Sequence, residues 1–192
     1  MKRILISGVF LLFVFQFELI AQQKFERESR LKESDVPSAA LKFIESAEMD
    51  ARWKWYFEEN LRGNSVEAKT KHRGKRYSVE FDVSGNIQDI EIQKNWQELD
   101  EKVRSNITKS LDSLFVRHSV EKIQIQYTAD SQLLHDILNG KISHADCEIR
   151  YEIVVKGKKA DRPKLFEFTF SGDGNLLEFV EIVFRNTDNL EY

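Results

Sequence analysis

The fold of this chain is decided by a stretch that occurs twice. Residues 79–92 read VEFDVSGNIQDIEI, and residues 168–182 read FTFSGDGNLLEFVEI. In each copy, a run in which apolar and polar residues alternate leads into a Gly-Asn pair, and a second apolar run follows it. A turn of this composition between two such runs predicts a β-hairpin. Because the hairpin recurs, the chain is predicted to contain two copies of one structural unit.

The first copy is predicted to span residues 35–95. It begins with a helix, because Pro37 suits the first helical turn, where its missing N–H would have no partner. The apolar residues that follow recur at helical spacing. Four alternating runs come next, and period-two alternation predicts strands that bury one face.

The second copy is predicted to span residues 96–185. Asn95 followed by Glu98 resembles a capping box, and the next residues form the longest apolar stripe of the chain. This copy differs by an insert at 128–143, whose apolar residues predict a short helix that ends at Asn139-Gly140.

The predicted fold is α+β. Strands with one apolar and one charged face must cover the apolar face, and the amphipathic helices are the available cover. Two tandem helix-plus-four-strand repeats would then form one antiparallel sheet of about eight strands with helices on one face. We expect a flat sheet whose other face is open to water.

The two ends of the chain are predicted to lie outside this domain. Residues 1–21, MKRILISGVFLLFVFQFELIA, contain two basic residues, an apolar run and a small residue, Ala21, as a signal peptide does. A membrane-spanning helix needs about 20 mostly apolar residues, whereas polar residues interrupt this run after Phe15. The protein is therefore predicted to be periplasmic or secreted, with no stable membrane span after signal cleavage. Residues 22–34 are densely charged, which favours a flexible leader, and residues 186–192 form a tail.

Composition restricts the partners and the source of stability. The 192 residues include 29 basic and 32 acidic side chains, a formal net charge of −3. Nucleic-acid binders concentrate positive charge, so we expect no nucleic-acid partner. A single cysteine, Cys147, cannot form an intramolecular disulfide, and the domain must depend on packing.

No arrangement in the sequence is typical of catalysis or metal binding. The four histidines show no metal-ligand spacing, and no serine or cysteine lies in a motif of nucleophilic enzymes. Cys147 shares a strand face with Ile149 and Tyr151, which predicts a buried apolar role. Glu148 and Glu152 are interpreted as cross-strand partners of lysine or arginine. We therefore expect no enzyme, no metal and no cofactor.

The candidate binding residues lie on the open sheet face and at one hairpin tip. Mixed charges and a tyrosine share that face, and tyrosine and arginine are favoured binding anchors; the alternative is a ladder of surface ion pairs. The basic segment 69–76 would dock an acidic partner or phospholipid headgroups, or it is a solvated turn whose lysines deter aggregation, the interpretation we favour. The candidate partner-binding residues are Lys54, Tyr56, Arg73, Arg76, Glu80, Arg150 and Glu152.

Residues 177–184 are apolar on both faces. Such a pattern is typical of a bulge, a central strand or a subunit interface, and the last would mean self-association. The sequence does not choose among the three.

Several motifs resemble a known family. A helix entered through Val36-Pro37, a WxW first strand, a YxVxF strand and a DxxGN turn are similar to the PepSY-like family, also called beta-lactamase-inhibitor-like, of exported Bacteroidetes proteins. The resemblance covers residues 35 to about 185. It implies an exported two-repeat α+β domain that binds proteins or peptides without enzymatic activity.

The predicted function is a non-enzymatic binding module that recognises a protein or peptide of the cell envelope through its open sheet face and hairpin tips. A sharper alternative is an inhibitor of an envelope peptidase or β-lactamase. A metal-binding or enzymatic protein is the remote alternative. Likeness of fold to an inhibitor does not by itself establish inhibition.

Overall fold

The computed structural model describes residues 22–24, 26–60, 63–141, 146–158 and 162–182. The predicted signal peptide and tail lie outside these residues. The elements, in chain order, are β1 (Gln22–Lys24), β2 (Glu26–Leu31), α1 (Ser38–Glu45), β3 (Lys54–Asn60), β4 (Gly63–His72), β5 (Lys75–Asp82), β6 (Ile87–Gln93), α2 (Glu101–Leu114), β7 (Arg117–Thr128), α3 (Ser131–Leu138), β8 (Glu148–Lys158), β9 (Lys164–Ser171) and β10 (Leu176–Ile182).

The strands form one ten-stranded sheet in the order β1-β10-β9-β8-β7-β6-β5-β4-β3-β2. The sequential neighbours from β2 to β10 pair antiparallel, and β1 pairs in parallel with β10. One helix precedes β3–β6 and another precedes β7–β10. The predicted α+β fold class, with tandem helix-plus-four-strand repeats in one antiparallel sheet, is confirmed.

The helices pack on one face of the sheet. α2 buries Val103, Ile107 and Leu111, and the insert forms α3, which ends before Asn139 as predicted. Among the described residues, no helix has both the length and the apolarity to cross a membrane.

The repeated turn packs against the helix of its own unit. Gly85 and Gly174 have φ angles of 89° and 78°, a left-handed conformation that glycine adopts without steric cost. A Cβ atom at Gly85 would lie 2.8 Å from Cβ of Pro37, just before α1. A Cβ atom at Gly174 would lie 2.7 Å from the carbonyl oxygen of Val103 in α2. Each hairpin therefore approaches its helix only because the turn carries glycine, which is why the Gly-Asn pair occurs twice.

The apolar core lies between the helices and the sheet. The stacked rings of Phe168 and Phe179 have centroids 5.1 Å apart, and Phe168 stacks on Phe170 at 5.9 Å. Burial of this layer drives folding, because apolar surface leaves water. The largest fully buried side chains are Phe81, Phe168, Phe170, Ile90, Ile107, Leu111, Leu134, Ile153, Val79 and Val155.

The prediction of a flexible leader at residues 22–34 is wrong. β1 pairs with β10, and β2 pairs with β3 from Glu26 opposite Asn60 to Leu31 opposite Trp55. An edge strand is held by backbone hydrogen bonds and accepts charged side chains, so it needs no apolar period. Arg27 lies 3.7 Å from Glu59 in an ion pair.

The expectation of a flat sheet is also wrong. β1 and β2 lie at opposite edges of the sheet, yet one residue separates them, so the Cα atoms of Lys24 and Glu26 lie within about 7 Å of each other. The sheet is therefore curled until its edges meet at the N-terminal segment. Twist accumulates across many strands, and the alternation of apolar and polar residues does not predict how large the total twist of a sheet becomes. The face without helices is concave.

β10 accounts for the apolar pattern on both of its faces. Its register with β9 shifts between Leu176 and Glu178, so Leu177 lies in a bulge and is 54% exposed. β10 also lies between β9 and β1. Self-association through residues 177–184 stays a prediction, and the end of that segment lies outside the described residues.

A concave polar groove as the candidate binding site

The concave face contains a groove of about 1440 Å³ that is lined by side chains from β2 through β10. Because side chains alternate along a strand, the polar positions of each strand point to this face while the apolar ones point to the helices. Five of the seven predicted binding residues line the groove: Lys54, Tyr56, Arg76, Glu80 and Glu152.

The other two predicted residues lie elsewhere. Arg73 occupies the β4–β5 turn with a φ angle of 47° and borders a smaller hollow beside Lys94 and Glu98. Arg150 lies on β8 and forms an ion pair with Glu148, with Nη2 2.7 Å from Oε1. Glu152 lies between Gln124 and Thr169 in the strand register, and its interpretation as a cross-strand partner of lysine or arginine stays a prediction.

Charge is separated along the groove. Lys54 lies directly opposite Lys69, and Lys71 directly opposite Arg76, so the end of the groove near the β4–β5 turn is basic. One row further along the strands, Tyr56 lies opposite Glu67, and acidic residues begin. A segment bound in the groove would meet positive charge at one end and negative charge in the middle.

The middle of the groove is a row of carboxyl groups. Glu67 of β4 lies directly opposite Glu80 of β5, and Glu80 directly opposite Asp89 of β6. Glu67 and Asp89 are each 8% exposed. The Ser78 hydroxyl donates a hydrogen bond to Glu67. These groups are buried without a helix above them, because the curled sheet surrounds them with the side chains of neighbouring strands.

Burial and crowding raise the pKa of Asp89 and of Glu91, the next acid of β6 that lines the groove. Burial, followed by repulsion from Glu80, Glu152 and Glu67, raises the pKa of Asp89 to about 8. Burial also holds the pKa of Glu91 well above its ordinary value, with Glu152 and Asp89 adding to the effect. Both are consistent with the cost of charging a carboxyl group in a poorly solvated place near like charges.

Side-chain amides from β7 bind the same acids. Nε2 of Gln124 donates to Oε2 of Glu91 at 2.5 Å, and Nε2 of Gln126 lies 3.3 Å from Oδ2 of Asp89. An amide donor partly offsets the desolvation of a carboxyl group. The row is thus built into the sheet by hydrogen bonds across strands.

One group of acids has the spacing of a cation site. Carboxylate oxygens of Glu28, Glu58 and Glu67 lie within 4.8 Å of one another. Nζ of Lys69 forms ion pairs with Glu28 and, at 2.7 Å, with Glu67. Burial opposes the charge of Lys69, but Glu67 and Glu28 outweigh it and raise its pKa. The lysine ammonium already supplies the positive charge that this group attracts.

The histidines and the cysteine have structural surroundings. Nε2 of His118 lies 2.8 Å from Oδ1 of Asp112, and His135 contacts the backbone carbonyl of Ser46 at 3.0 Å. Cys147 is half-buried and packs against the apolar core, and burial raises the pKa of its thiol. Within the described residues, neither residue type belongs to a cluster with metal-ligand spacing.

Sequence reasoning missed the buried acids Glu67 and Asp89 and the half-buried Glu91. A signal for them exists in the register: His72 pairs with Lys75 across a two-residue turn, and counting back along both strands pairs Glu67 with Glu80. Like charges directly opposite each other are unfavourable on an ordinary surface. Such a pair, derived from the turn alone, marks an unusual environment.

Comparison with known proteins found similar chains among solved structures. No protein-family model matches the sequence, and a search of curated proteins found no match. A DUF2874 family protein from Bacteroides ovatus ATCC 8483 is similar, with 14% identity and a TM-score of 0.48 over 76% of this chain and 87% of that one. A BLIP-like protein from Bacteroides fragilis NCTC 9343 shares 18% identity, with a TM-score of 0.48 over 81% of this chain and 92% of that one.

A third similar structure is a provisionally assigned periplasmic protein from Bacteroides eggerthii DSM 20697. It shares 13% identity, with a TM-score of 0.47 over 80% of this chain and 93% of that one. The structural neighbours of this chain are thus DUF2874 and BLIP-like proteins of Bacteroides, whereas the narrower resemblance to PepSY-like proteins stays a prediction.

Proposed function

We propose that this protein is an exported, non-enzymatic module that binds a segment of a cell-envelope protein or peptide in its concave groove. The observation that carries the proposal is the groove itself, about 1440 Å³ and lined by charged and polar side chains of β2–β10. Sites for small molecules are about 300–1,000 Å³ and mostly apolar. A larger, charged groove suits an extended polar chain better than a small ligand.

Tyr56 is the strongest candidate anchor in this groove. The Arg30 guanidinium carbon and Nζ of Lys69 lie 5.1 Å and 5.2 Å from the centre of its ring, and Arg30 also donates to its hydroxyl at 3.2 Å. Tyrosine held in this way is pre-organised, and pre-organised tyrosine and arginine side chains contribute most to binding in protein interfaces. Lys54 and Arg76 would contribute the basic end.

Binding rather than catalysis is supported by how the acids are held. Glu67 accepts from Ser78, Asp89 from Gln126, and Glu91 from Gln124. Export is supported by the signal-like residues 1–21. Inhibition of an envelope hydrolase is the narrower case in which the bound partner loses activity in a stoichiometric complex.

Site-specific photocrosslinking tests the groove as the binding surface. Residues 22–192 would carry p-benzoylphenylalanine in place of Tyr56, and a matched protein would carry it in place of Lys109, which is exposed on α2. After irradiation in envelope extract, we expect one partner crosslinked from position 56 and not from position 109. Crosslinks that are the same from both positions, or absent from both, would contradict the proposal.

A point variant gives a second, quantitative measurement on that partner. Tyr56→Ala should weaken its binding by about tenfold or more while changing the midpoint of thermal unfolding little. Unchanged affinity would remove Tyr56 from the binding surface.

A further inference from the structure

The floor of the groove contains a row of facing carboxyl groups, which binding of an ordinary polar segment does not require. Glu67, Glu80 and Asp89 lie directly opposite one another on three adjacent strands. Like charges in this relation destabilise a sheet. An acidic row inside a groove that has a basic end indicates that the middle of the groove attracts positive charge.

Three buried polar atoms in the groove have no hydrogen-bond partner among the described residues: Oγ of Ser65, Oε2 of Glu67 and Oδ1 of Asp89. Oε2 of Glu67 lies 2.7 Å from Nζ of Lys69 in an ion pair. The other two atoms belong to Ser65 and Asp89, which are 3% and 8% exposed. Buried polar groups are nearly always hydrogen-bonded. Both residues line the groove, so both atoms are available to a donor that enters it.

The spacing of the acids favours an organic cation over a metal ion. Within the described residues, three carboxylate oxygens come within 4.8 Å of one another only at Glu28, Glu58 and Glu67, where the ammonium of Lys69 already lies. Glu80, Asp89 and Glu91 do not close to metal-ligand spacing. A guanidinium group is planar and carries five N–H donors, so it bridges carboxyl groups that a single ion cannot.

Resting on the proposed function, we propose that the bound segment inserts an arginine side chain into the floor of the groove, where its guanidinium donates to Glu80 and to Oδ1 of Asp89. The charge complementarity of an acidic floor and a cationic side chain identifies the occupant. The chemistry is that of a basic protein or peptide segment.

The proton balance follows from the groups that face Asp89. Burial, followed by repulsion from the facing Glu80, raises the pKa of Asp89, so the Asp89 carboxyl group holds a proton at neutral pH in the free protein. Glu67 on β4, Glu91 on β6 and Glu152 on β8 add negative charge, and Lys122 on β7 lowers the pKa of Glu91. Gln126 contributes its amide.

Arginine binding would release the proton of Asp89 to solvent, while the guanidinium stays charged. Because the pKa of Asp89 is about 8, the proton is bound at pH 7 in the free protein. A nearby positive charge lowers a carboxyl pKa, so the linked equilibrium makes arginine binding tighter as pH rises from 6 towards 8.5. The expected gain is about tenfold per pH unit at most.

Calorimetric titration with hexa-arginine tests the proposal, and hexa-citrulline, which has the same shape without charge, is the matched probe. We expect hexa-arginine to bind at least about tenfold more tightly at pH 8.5 than at pH 6. At pH 7, the dependence of the heat on the ionisation enthalpy of the buffer should show proton release. Hexa-citrulline should give no measurable binding.

Two groove variants and one control complete the design. Asp89→Asn and, as a second variant, Glu80→Gln should each weaken hexa-arginine binding at pH 8.5 by about tenfold and flatten its pH dependence. Glu101→Gln removes one exposed charge at the start of α2 and should change neither the affinity for hexa-arginine nor its pH dependence. Equal weakening by all three, pH-independent binding, or binding of hexa-citrulline would overturn the proposal. Calcium binding that depends on Asp89 while hexa-arginine fails to bind would overturn it in favour of a metal ion.

The outcomes for the two proposals are separable. A partner that crosslinks from position 56, combined with hexa-arginine binding that is insensitive to Asp89→Asn, would overturn the arginine site and leave the binding module in place. Hexa-arginine binding that requires Asp89, without any crosslinked partner, would uphold the arginine site and overturn the protein-binding module.

Discussion

The two faces of this sheet bury opposite kinds of side chain, and they do so by different means. On the helix side, Phe81, Phe168 and Phe170 are fully buried beneath α1, α2 and α3. On the concave side, Glu67 and Asp89 are 8% exposed although no helix covers them. One face is closed by added elements, whereas the other is closed by the curvature of the sheet itself.

The difference shows that burial and hydrophobicity are separate properties of a strand face. Covering the apolar face stabilises the protein, because each buried apolar side chain contributes about 1.5–3 kcal/mol. Enclosing the polar face costs free energy unless the polar groups find partners or protons. The concave face meets that condition with amide donors, with ion pairs and with the proton that Asp89 keeps at neutral pH. The raised pKa of Asp89 reflects the part of the cost of charging this carboxyl group that its partners do not offset.

The largest expected effect is on the helix side. Phe168→Ala should lower the free energy of unfolding by about 3–5 kcal/mol, because it removes a fully buried ring and leaves a cavity. Its neighbour Thr169 points to the concave face, and Thr169→Ala should cost roughly 1 kcal/mol or less. Denaturant unfolding of both variants measures the contrast. Similar losses of unfolding free energy for the two variants would contradict the view that only the helix side of the sheet is stabilised by apolar burial.

The contact between turn and helix should give the next largest effect. Gly174→Ala should cost about 3 kcal/mol, because it combines left-handed strain with a Cβ atom that meets the backbone of α2. Gly74→Ala is the matched control: its φ angle is 82°, but no atom lies within 4 Å of the added Cβ, so it should cost about 1 kcal/mol. If Gly174→Ala cost no more than the control in denaturant unfolding, the close packing of the hairpin on the helix would contribute little to stability.

The buried acid on the concave face should make the free energy of unfolding depend on pH. The folded-state pKa of Asp89, about 8, lies above the unfolded value, so the folded protein keeps a proton that the unfolded chain releases. The stability from this group is therefore complete below about pH 4 and is lost as pH rises through about 8. Between pH 5 and pH 8, the unfolding free energy of Asp89→Asn relative to the wild type should rise by about 3–4 kcal/mol.

Chemical unfolding at pH 5, 6.5 and 8 checks this expectation. Glu101→Gln, a substitution of an exposed acid at the start of α2, should follow the wild-type curve. Parallel curves for Asp89→Asn and the wild type would mean that Asp89 is ionised in the folded protein at neutral pH.

The smallest expected effect is at the edge of the concave face. Arg150 and Glu148 form an ion pair with side chains 43% and 56% exposed, and exposed pairs contribute about 0–1 kcal/mol. Arg150→Ala should therefore leave the midpoint of thermal unfolding nearly unchanged. A loss as large as that of Gly174→Ala would show that Arg150 supports the fold.

Much of the fold could be predicted from local patterns. Alternation placed Phe81, Phe168 and Ile153 on the apolar face, and the insert gave the short helix that became α3. Such predictions succeed because a strand presents successive residues to opposite faces, whatever lies above it. The segment 22–34 could not be predicted in this way, since β1 and β2 are held by backbone pairing to distant strands rather than by an apolar pattern of their own.

The candidate site was predicted in part. Tyr56, Arg76, Glu80 and Glu152 were placed on the correct face because the polar positions of an alternating strand share one side. Their meeting with Asp89 in one groove depends on strand order and curvature. Arg73 remained at the hairpin tip, because a residue in a turn does not follow the alternation of the strands beside it.

The sequence by itself determined the two helix-plus-four-strand units, their apolar faces and the glycine turns, because these follow from the periods of helix and strand and from the conformational freedom of glycine. Only the tertiary structure decided that β1 and β2 occupy opposite edges of the sheet, so that the sheet curls until these edges meet. Curvature sums small twists over many strands and the pairing of distant segments. It is the property that turned an expected flat, solvated face into a groove with buried acids.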